Sequence, residues 1–328
     1  MNTAQAQLAP VLAAGGPGLS RLLERTEDRL AEVAAGGGPQ LAAHAADTLT
    51  AGGKRLRPML VFLCASGDGH ERLVAPAVAV ELLHMATLVH DDVLDRAPLR
   101  RGQPTVFATG GREAATATGD LLFSRAFAEL ASEGGGPAVR ALSVASSALA
   151  RGELMQRADA WSDEVTPERY IERCRLKTGS LFEASCRLGA LLGGGEADSA
   201  ASLGRFGERV GLAFQILDDV LDVSGPAERT GKPRGADLLD GTVTLPLILA
   251  RARDPELRDL NLRALVTGPK QATALCERIE RTGALEEARR RALTHVAEAK
   301  KVLSGMELPG RRRAALDLVA DGVVERYA

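Results

Sequence analysis

Aromatic side chains are scarce: seven Phe, two Tyr and one Trp make up 3% of the 328 residues. The alternating β-branched and aromatic runs expected of strands are scarce with them. Ala and Leu, both strong helix formers, dominate instead. The expected class is therefore all-α. The four cysteines, Cys64, Cys174, Cys186 and Cys276, are far apart and include no Cys-x-x-Cys pair. That argues against a disulfide frame or a zinc site and points to a reducing, cytoplasmic setting. Charge of one sign is also lacking: 41 basic against 43 acidic residues leave a net charge of -2. A nucleic-acid partner and a polybasic membrane anchor are disfavoured on that ground. No uncharged apolar stretch reaches the roughly 18 to 20 residues of a membrane span. The opening MNTAQAQLAPVLAAGGPG has neither a basic n-region nor a continuous apolar core. It does not read as a signal peptide, and residues 1–18 are expected to be loosely ordered.

Amphipathic patterning and Gly/Pro breaks place helices over roughly 19–34, 39–49, 59–65, 73–94, 112–132, 137–159, 167–192 and 196–223. Three or four more are expected between Leu245 and Ala328. Pro98 to Pro104 reads as a loop, and Ser224 to Val243, rich in Gly, Pro and charge, as a longer one. With no composition shift, linker or short repeat, one domain over 1–328 is the expectation.

Leu88-Val-His-Asp-Asp-Val-Leu-Asp95 sets three carboxylates into the otherwise apolar 73–94 helix. Asp91 and Asp95, four residues apart, lie on one face, with Asp92 beside them. Such crowding resists burial unless something cationic joins it. A single triplet is compatible with a solvated face, but Gln215-Ile-Leu-Asp-Asp-Val-Leu-Asp222 repeats it as Asp218, Asp219 and Asp222. Two facing sets of carboxylates would call for a hard cation, best Mg2+, which completes its octahedron with waters and phosphates. Loops supply cations for phosphate oxygens: Lys54, Arg55 and Arg57, then Arg100 and Arg101, then Lys177 and Lys232.

These segments together resemble the trans-isoprenyl diphosphate synthases, the polyprenyl synthetase family, from about Leu19 to Tyr327. The likeness is carried by Gly52-Gly-Lys-Arg-Leu-Arg-Pro58, Glu81-Leu-Leu-His84, both triplets and Leu99-Arg-Arg-Gly-Gln-Pro-Thr105. Gly119-Asp120, Gly152-Glu153 with Gln156, Lys177-Thr-Gly-Ser-Leu-Phe182 and Gly231-Lys-Pro-Arg-Gly-Ala-Asp237 complete it. One Asp-Asp-x-x-Asp motif is shared with terpene cyclases, whereas the full set is specific. The resemblance implies a helical bundle around a central cavity, with three Mg2+ per active site and a homodimer. It makes Asp91, Asp92, Asp95, Asp218, Asp219 and Asp222 the metal ligands. Arg100, Lys177 and Lys232 would grip an allylic diphosphate, with Thr178 and Gln215 at its reacting end. Lys54, Arg57, His84 and Arg101 would hold isopentenyl diphosphate. The implied reaction ionises the allylic substrate, adds the isopentenyl double bond and sheds a proton to the departing diphosphate. Where many members carry lysine before Thr-Leu-Pro, this chain has Thr242, which puts one phosphate contact in doubt.

Product length in this family follows the depth of an apolar tunnel beneath the first triplet. Leu83, Ala86 and Thr87 are expected to line it. The small residues at 86 and 87 favour a product longer than geranylgeranyl, while Phe123 and Phe127 could close the floor sooner. A terpene cyclase, which would usually lack the isopentenyl site, and a non-catalytic subunit, which would tend to lose a triplet, are the competing readings.

Overall fold

The computed structural model describes residues 3–36, 38–50, 53–66, 70–100, 102–133, 135–225 and 234–325. Ten helices lead up to and through the acidic segments: α1 Thr3–Gly15, α2 Pro17–Ala35, α3 Pro39–Thr50, α4 Leu56–Leu63, α5 Val74–Asp95, α6 Val106–Glu133, α7 Gly135–Ala158, α8 Pro167–Cys174, α9 Ser180–Leu192 and α10 Ala197–Ser224. Longer helices follow at Leu245–Arg253, Pro269–Arg281, Ala284–Ser304 and Gly310–Glu325, with single turns at Ala236–Leu239, Pro255–Arg258 and Leu262–Leu265. Local chemistry sets several of these starts. Thr166 caps α8 by accepting the Arg169 N–H, and Pro167 fills its first turn, where a missing N–H costs nothing.

The buried apolar residues form one contiguous cluster running from Val11 to Val323. At its centre α5 packs against α6, and α10 against α9 and Ala284–Ser304. Within the segment His70–Asp95 an 18-residue apolar window has a mean hydropathy of 1.6, long and apolar enough by composition to cross a membrane. That window is 72% buried inside the protein, so the segment is the core helix. The one charge in that apolar run, Glu81, is buried and accepts from Arg55 Nη1 at 2.7 Å. Arg55 also donates to Glu27 on α2, from Nε at 2.5 Å and from Nη2 at 3.1 Å. It takes a left-handed conformation, φ 47°, at the start of α4. Its guanidinium thus pins three helices together, which gives Arg55 a structural task distinct from its neighbours Lys54 and Arg57.

Four details depart from the sequence expectation. Residues 3–15, expected to be loose, are helical, with Val11 buried and Leu8 and Leu12 packed on the core. Their cover comes from Gly310–Glu325, where Arg311 donates to the Ala14 carbonyl at 2.8 Å, a contact no local pattern announces. Helix α6 begins at Val106, six residues early, and bends at Gly111, φ 79°. The loop after α5 pairs Leu99–Arg100 with Gln103–Pro104 as a small antiparallel hairpin. The expected single helix 167–192 is interrupted by a π turn at Arg175–Gly179.

Candidate active site

That π turn organises the site. A π turn inserts a residue into an α-helix and often marks a functional position. Here it is wedged between α7 and α10, with close approach possible only because glycines line both walls. A Cβ on Gly152 would lie 2.6 Å from Lys177 N, and one on Gly211 would lie 2.9 Å from Gly179 Cα. The two residues it presents reach in opposite directions. Lys177 Nζ comes within 3.8 Å of Asp91 on α5, while Thr178 Oγ1 donates to Gln215 Oε1 on α10 at 2.8 Å. The turn therefore links the two triplets, through Lys177 to Asp91 and through Thr178 and Gln215 to Asp219.

On the first triplet each carboxylate meets a cation. Asp91 faces Lys177, buried Asp92 takes Arg100 at 2.8 Å, and exposed Asp95 takes Arg157 at 2.5 Å. Burial pushes the Asp91 carboxyl up to about 6; Lys177 opposes that shift, while Glu153 and Asp95 add to it. Burial works against the Lys177 ammonium, but Asp91 and Glu153 raise it above its ordinary range. Glu153 accepts a short hydrogen bond from Lys177 Nζ. Despite its own burial, the Glu153 carboxyl is lowered by Lys177 and Arg157.

The second triplet is held differently. Buried Asp219 accepts from Tyr170 OH at 2.6 Å and Gln215 Nε2 at 2.8 Å. Burial pushes its carboxyl up to about 8, helped by the Asp237 charge and opposed by those two donors. Both oxygens of Asp222 accept backbone N–H groups, from Ala236 at 3.1 Å and Asp237 at 3.2 Å. Asp222 thereby fastens the returning loop. Asp218 is exposed.

Of the remaining expected residues, Lys54 and His84 are half-buried, and the Arg57 guanidinium lies 4.6 Å above the Phe182 ring. Arg101 and Lys232 lie outside the described residues. Leu83 and Ala86 are fully buried and Thr87 is half-buried, its hydroxyl donating to the His84 carbonyl. The Phe123 ring, 38% exposed, sits 5.2 Å from that of Phe127. Phe123 thus turns outward on this chain. His90 lies against Asp120, Nε2 to Oδ1 3.3 Å, on the α6 side. Its ring fills the space above Gly119, where a Cβ would lie 2.2 Å from Nε2.

Three contributors were not among the expected site residues. Tyr170 is fully buried and legible only once it is seen beside Asp219. Glu153 was marked by motif alone, without a role. Arg157 follows it by one helical turn, a spacing that does foretell their pairing. Among the described residues no group of three His, Cys, Asp or Glu side chains is gathered closely enough to hold a metal ion by itself. The carboxylate oxygens of the two triplets are donors of the kind Mg2+ takes, and such an ion would draw its remaining ligands from water and phosphate.

A family model described as polyprenyl synthetase matches residues 39–280. The chain is 40% identical over 278 residues to heptaprenyl diphosphate synthase component 2 of Geobacillus stearothermophilus, covering 82% of this chain and 85% of that one. It is 37% identical over 261 residues to geranylgeranyl diphosphate synthase of Methanosarcina mazei, covering 77% and 80%. A polyprenyl synthase from Caulobacter crescentus CB15, solved in complex with calcium and isoprenyl diphosphate, matches with a TM-score of 0.86 at 32% identity, covering 98% of each chain.

Proposed function

This chain belongs to the polyprenyl synthetase family and is a trans-polyprenyl diphosphate synthase, and from that premise we propose that its product is longer than geranylgeranyl. It joins isopentenyl diphosphate to an allylic diphosphate and releases diphosphate. The observation that carries the site assignment is the π turn, which sets Lys177 near Asp91 of the first triplet and Thr178 on Gln215, the residue that donates to Asp219 of the second. Asp91, Asp92 and Asp95 would hold Mg2+ on one side of the allylic diphosphate and Asp218, with Asp219 and Asp222, on the other, three ions in all. Bound there, the metal neutralises the charge that develops on the leaving diphosphate. Arg100, Lys177 and Lys232 would hold that diphosphate in place. The Gln215 amide, fixed between Thr178 and Asp219, would orient the reacting end. Lys54, Arg57, His84 and Arg101 would take the isopentenyl diphosphate. The proton lost at the end would pass to the departing diphosphate.

A longer product is supported by the small side chains of Ala86 and Thr87 below Asp91 and by the outward turn of Phe123. Relatives are named for both heptaprenyl and geranylgeranyl products, so length is a matter for direct measurement. We also infer a cytoplasmic homodimer of one-domain chains. The contiguous core supports the single domain, and Val144 and Leu154, exposed on α7, support a partner face. The relative named component 2 favours a second reading, in which a different chain supplies the partner.

Incubation with Mg2+, isopentenyl diphosphate and farnesyl diphosphate, read by mass spectrometry, tests the activity and the length together. Elongation beyond twenty carbons is expected; a product that stops there refutes the length. Asp91→Ala should lower turnover by at least about 10²-fold with an unchanged circular dichroism spectrum, and a variant of near-native rate contradicts the metal role.

A further inference from the structure

A ring of alternating charge closes the first triplet and includes one cation to which no role has been given. Arg157 Nη2 donates to Asp95 Oδ1 at 2.5 Å, and its Nε donates to Glu153 Oε1 at 2.7 Å. The second Glu153 oxygen takes the Lys177 ammonium, and Lys177 returns to within 3.8 Å of Asp91. Asp91 and Asp95 stand one turn apart on α5, so the circuit Asp95, Arg157, Glu153, Lys177, Asp91 closes on itself. Arg100, on Asp92, lies just outside it.

Lys177 and Arg100 have a diphosphate to turn to in the proposed reaction. Arg157 comes from α7, and its guanidinium sits across the carboxylate of Asp95, where a divalent cation would bind. Two positive groups cannot share that oxygen, because Coulomb repulsion at such separations is large in a partly desolvated cleft. Glu153 offers Arg157 somewhere to go. The pair is spaced i,i+4 on one helix, and the Glu153 side chain is only 15% exposed, so the second hydrogen bond survives when the first is given up.

We propose that Arg157 is the resident counter-ion of Asp95: it neutralises the empty first triplet, is displaced onto Glu153 when a divalent cation enters, and thereby sets the metal affinity of that triplet. It is a positioning residue, since it touches neither substrate nor reacting atoms. The inference rests on the metal role of the first triplet proposed above.

The test is a titration of the full-length protein with Mn2+ alone, without diphosphate, followed by the electron paramagnetic resonance signal of the free ion. Arg157→Gln keeps a polar, hydrogen-bonding side chain of shorter reach and removes the competing charge. It should bind Mn2+ roughly two- to fivefold more tightly, the range expected for loss of a partly exposed ion pair. Arg157→Lys, which restores a cation without the bidentate fork, should lie between Arg157→Gln and the native protein. Unchanged or weaker binding in a folded Arg157→Gln protein overturns the inference. Asp91→Ala separates the two levels of argument. If it binds Mn2+ as the native protein does, the first triplet is no metal site and both fall. If it loses binding while Arg157→Gln shows no gain, only the counter-ion role falls.

Discussion

Gly152→Ala tests whether the wedged π turn governs catalysis. The added methyl would lie 2.6 Å from Lys177 N and 2.9 Å from both Lys177 Cα and Cβ. Those atoms are backbone or the root of a side chain, so no rotamer change relieves the contact. Carbon–nitrogen and carbon–carbon separations must return to at least about 3.4 Å, so α7 and the turn must part by nearly 1 Å. The turn cannot retreat, because Gly211 already brings α10 against Gly179 on the other side. Overpacking of this kind costs about 1–3 kcal/mol, and replacing a helical glycine returns about 0.5–1 kcal/mol. The net loss of about 0–2.5 kcal/mol lowers Tm by only a few degrees in a protein of this size. Activity should suffer far more, since a misplacement of about 1 Å at a binding cation costs on the order of 10²-fold. Calorimetry beside kcat/KM for the allylic diphosphate reads both. As a matched control, Gly322→Ala, whose Cβ meets nothing within 4 Å, should leave activity untouched. A Gly152→Ala enzyme within about threefold of native kcat/KM refutes the claim that this contact holds Lys177 in place.

Tyr170→Phe removes one of two donors from buried Asp219 and should destabilise the metal-free protein by about 1–3 kcal/mol. The hydroxyl stabilises the ionised carboxylate, and the Asp219 carboxyl lies at about 8. The loss should therefore grow as pH rises from 6 to 9, and denaturant midpoints that differ by a constant amount across that window contradict the assignment. Burial pushes the Cys174 and Cys276 thiols up to about 12. At pH 8 only about one in 10⁴ would be thiolate, so a thiol reagent should label them at the rate of unfolding, and rapid stoichiometric labelling of the native protein refutes this.

The parts legible in the sequence are those with short-range signatures. Helix α5 shows itself by an apolar run ending in two carboxylates one turn apart, and α10 repeats the pattern. Arg100 is placed in a loop by Pro98 and Pro104, whereas Lys177, within an expected helix, is assigned only through the family motif Lys177-Thr-Gly-Ser-Leu-Phe182. What stayed hidden depends on contacts distant in the chain. Residues 3–15 look featureless until Gly310–Glu325 covers Leu8, Val11 and Leu12. The π turn has no periodicity of its own. Its trace is the set of glycines at 152, 179 and 211, whose common purpose emerges only when three helices are brought together. Tyr170 reads as core until its hydroxyl meets Asp219. Arg55 looks like its neighbours Lys54 and Arg57 until Glu27 and Glu81 claim it.

The two Asp-Asp-x-x-Asp motifs are equivalent in sequence, and their surroundings make them chemically unequal. Lys177, Arg100 and Arg157 place positive charge directly on the first. Asp219 and Asp222 in the second are oriented by Tyr170, Gln215 and two backbone N–H groups. Neutral donors fix the direction of a carboxylate without cancelling its charge, whereas ammonium and guanidinium groups do both. On the proposed assignment, a divalent cation entering the first triplet would have to exchange with cations already present, and two of those could then turn to the incoming diphosphate. On that assignment the order is physically economical: Lys177 and Arg100, which neutralise the metal-free triplet, would also hold the substrate, and only Arg157 would need a separate place to go. Glu153, fixed between Arg157 and Lys177, provides it, which gives that carboxylate a reason to stand one turn before Arg157 on α7.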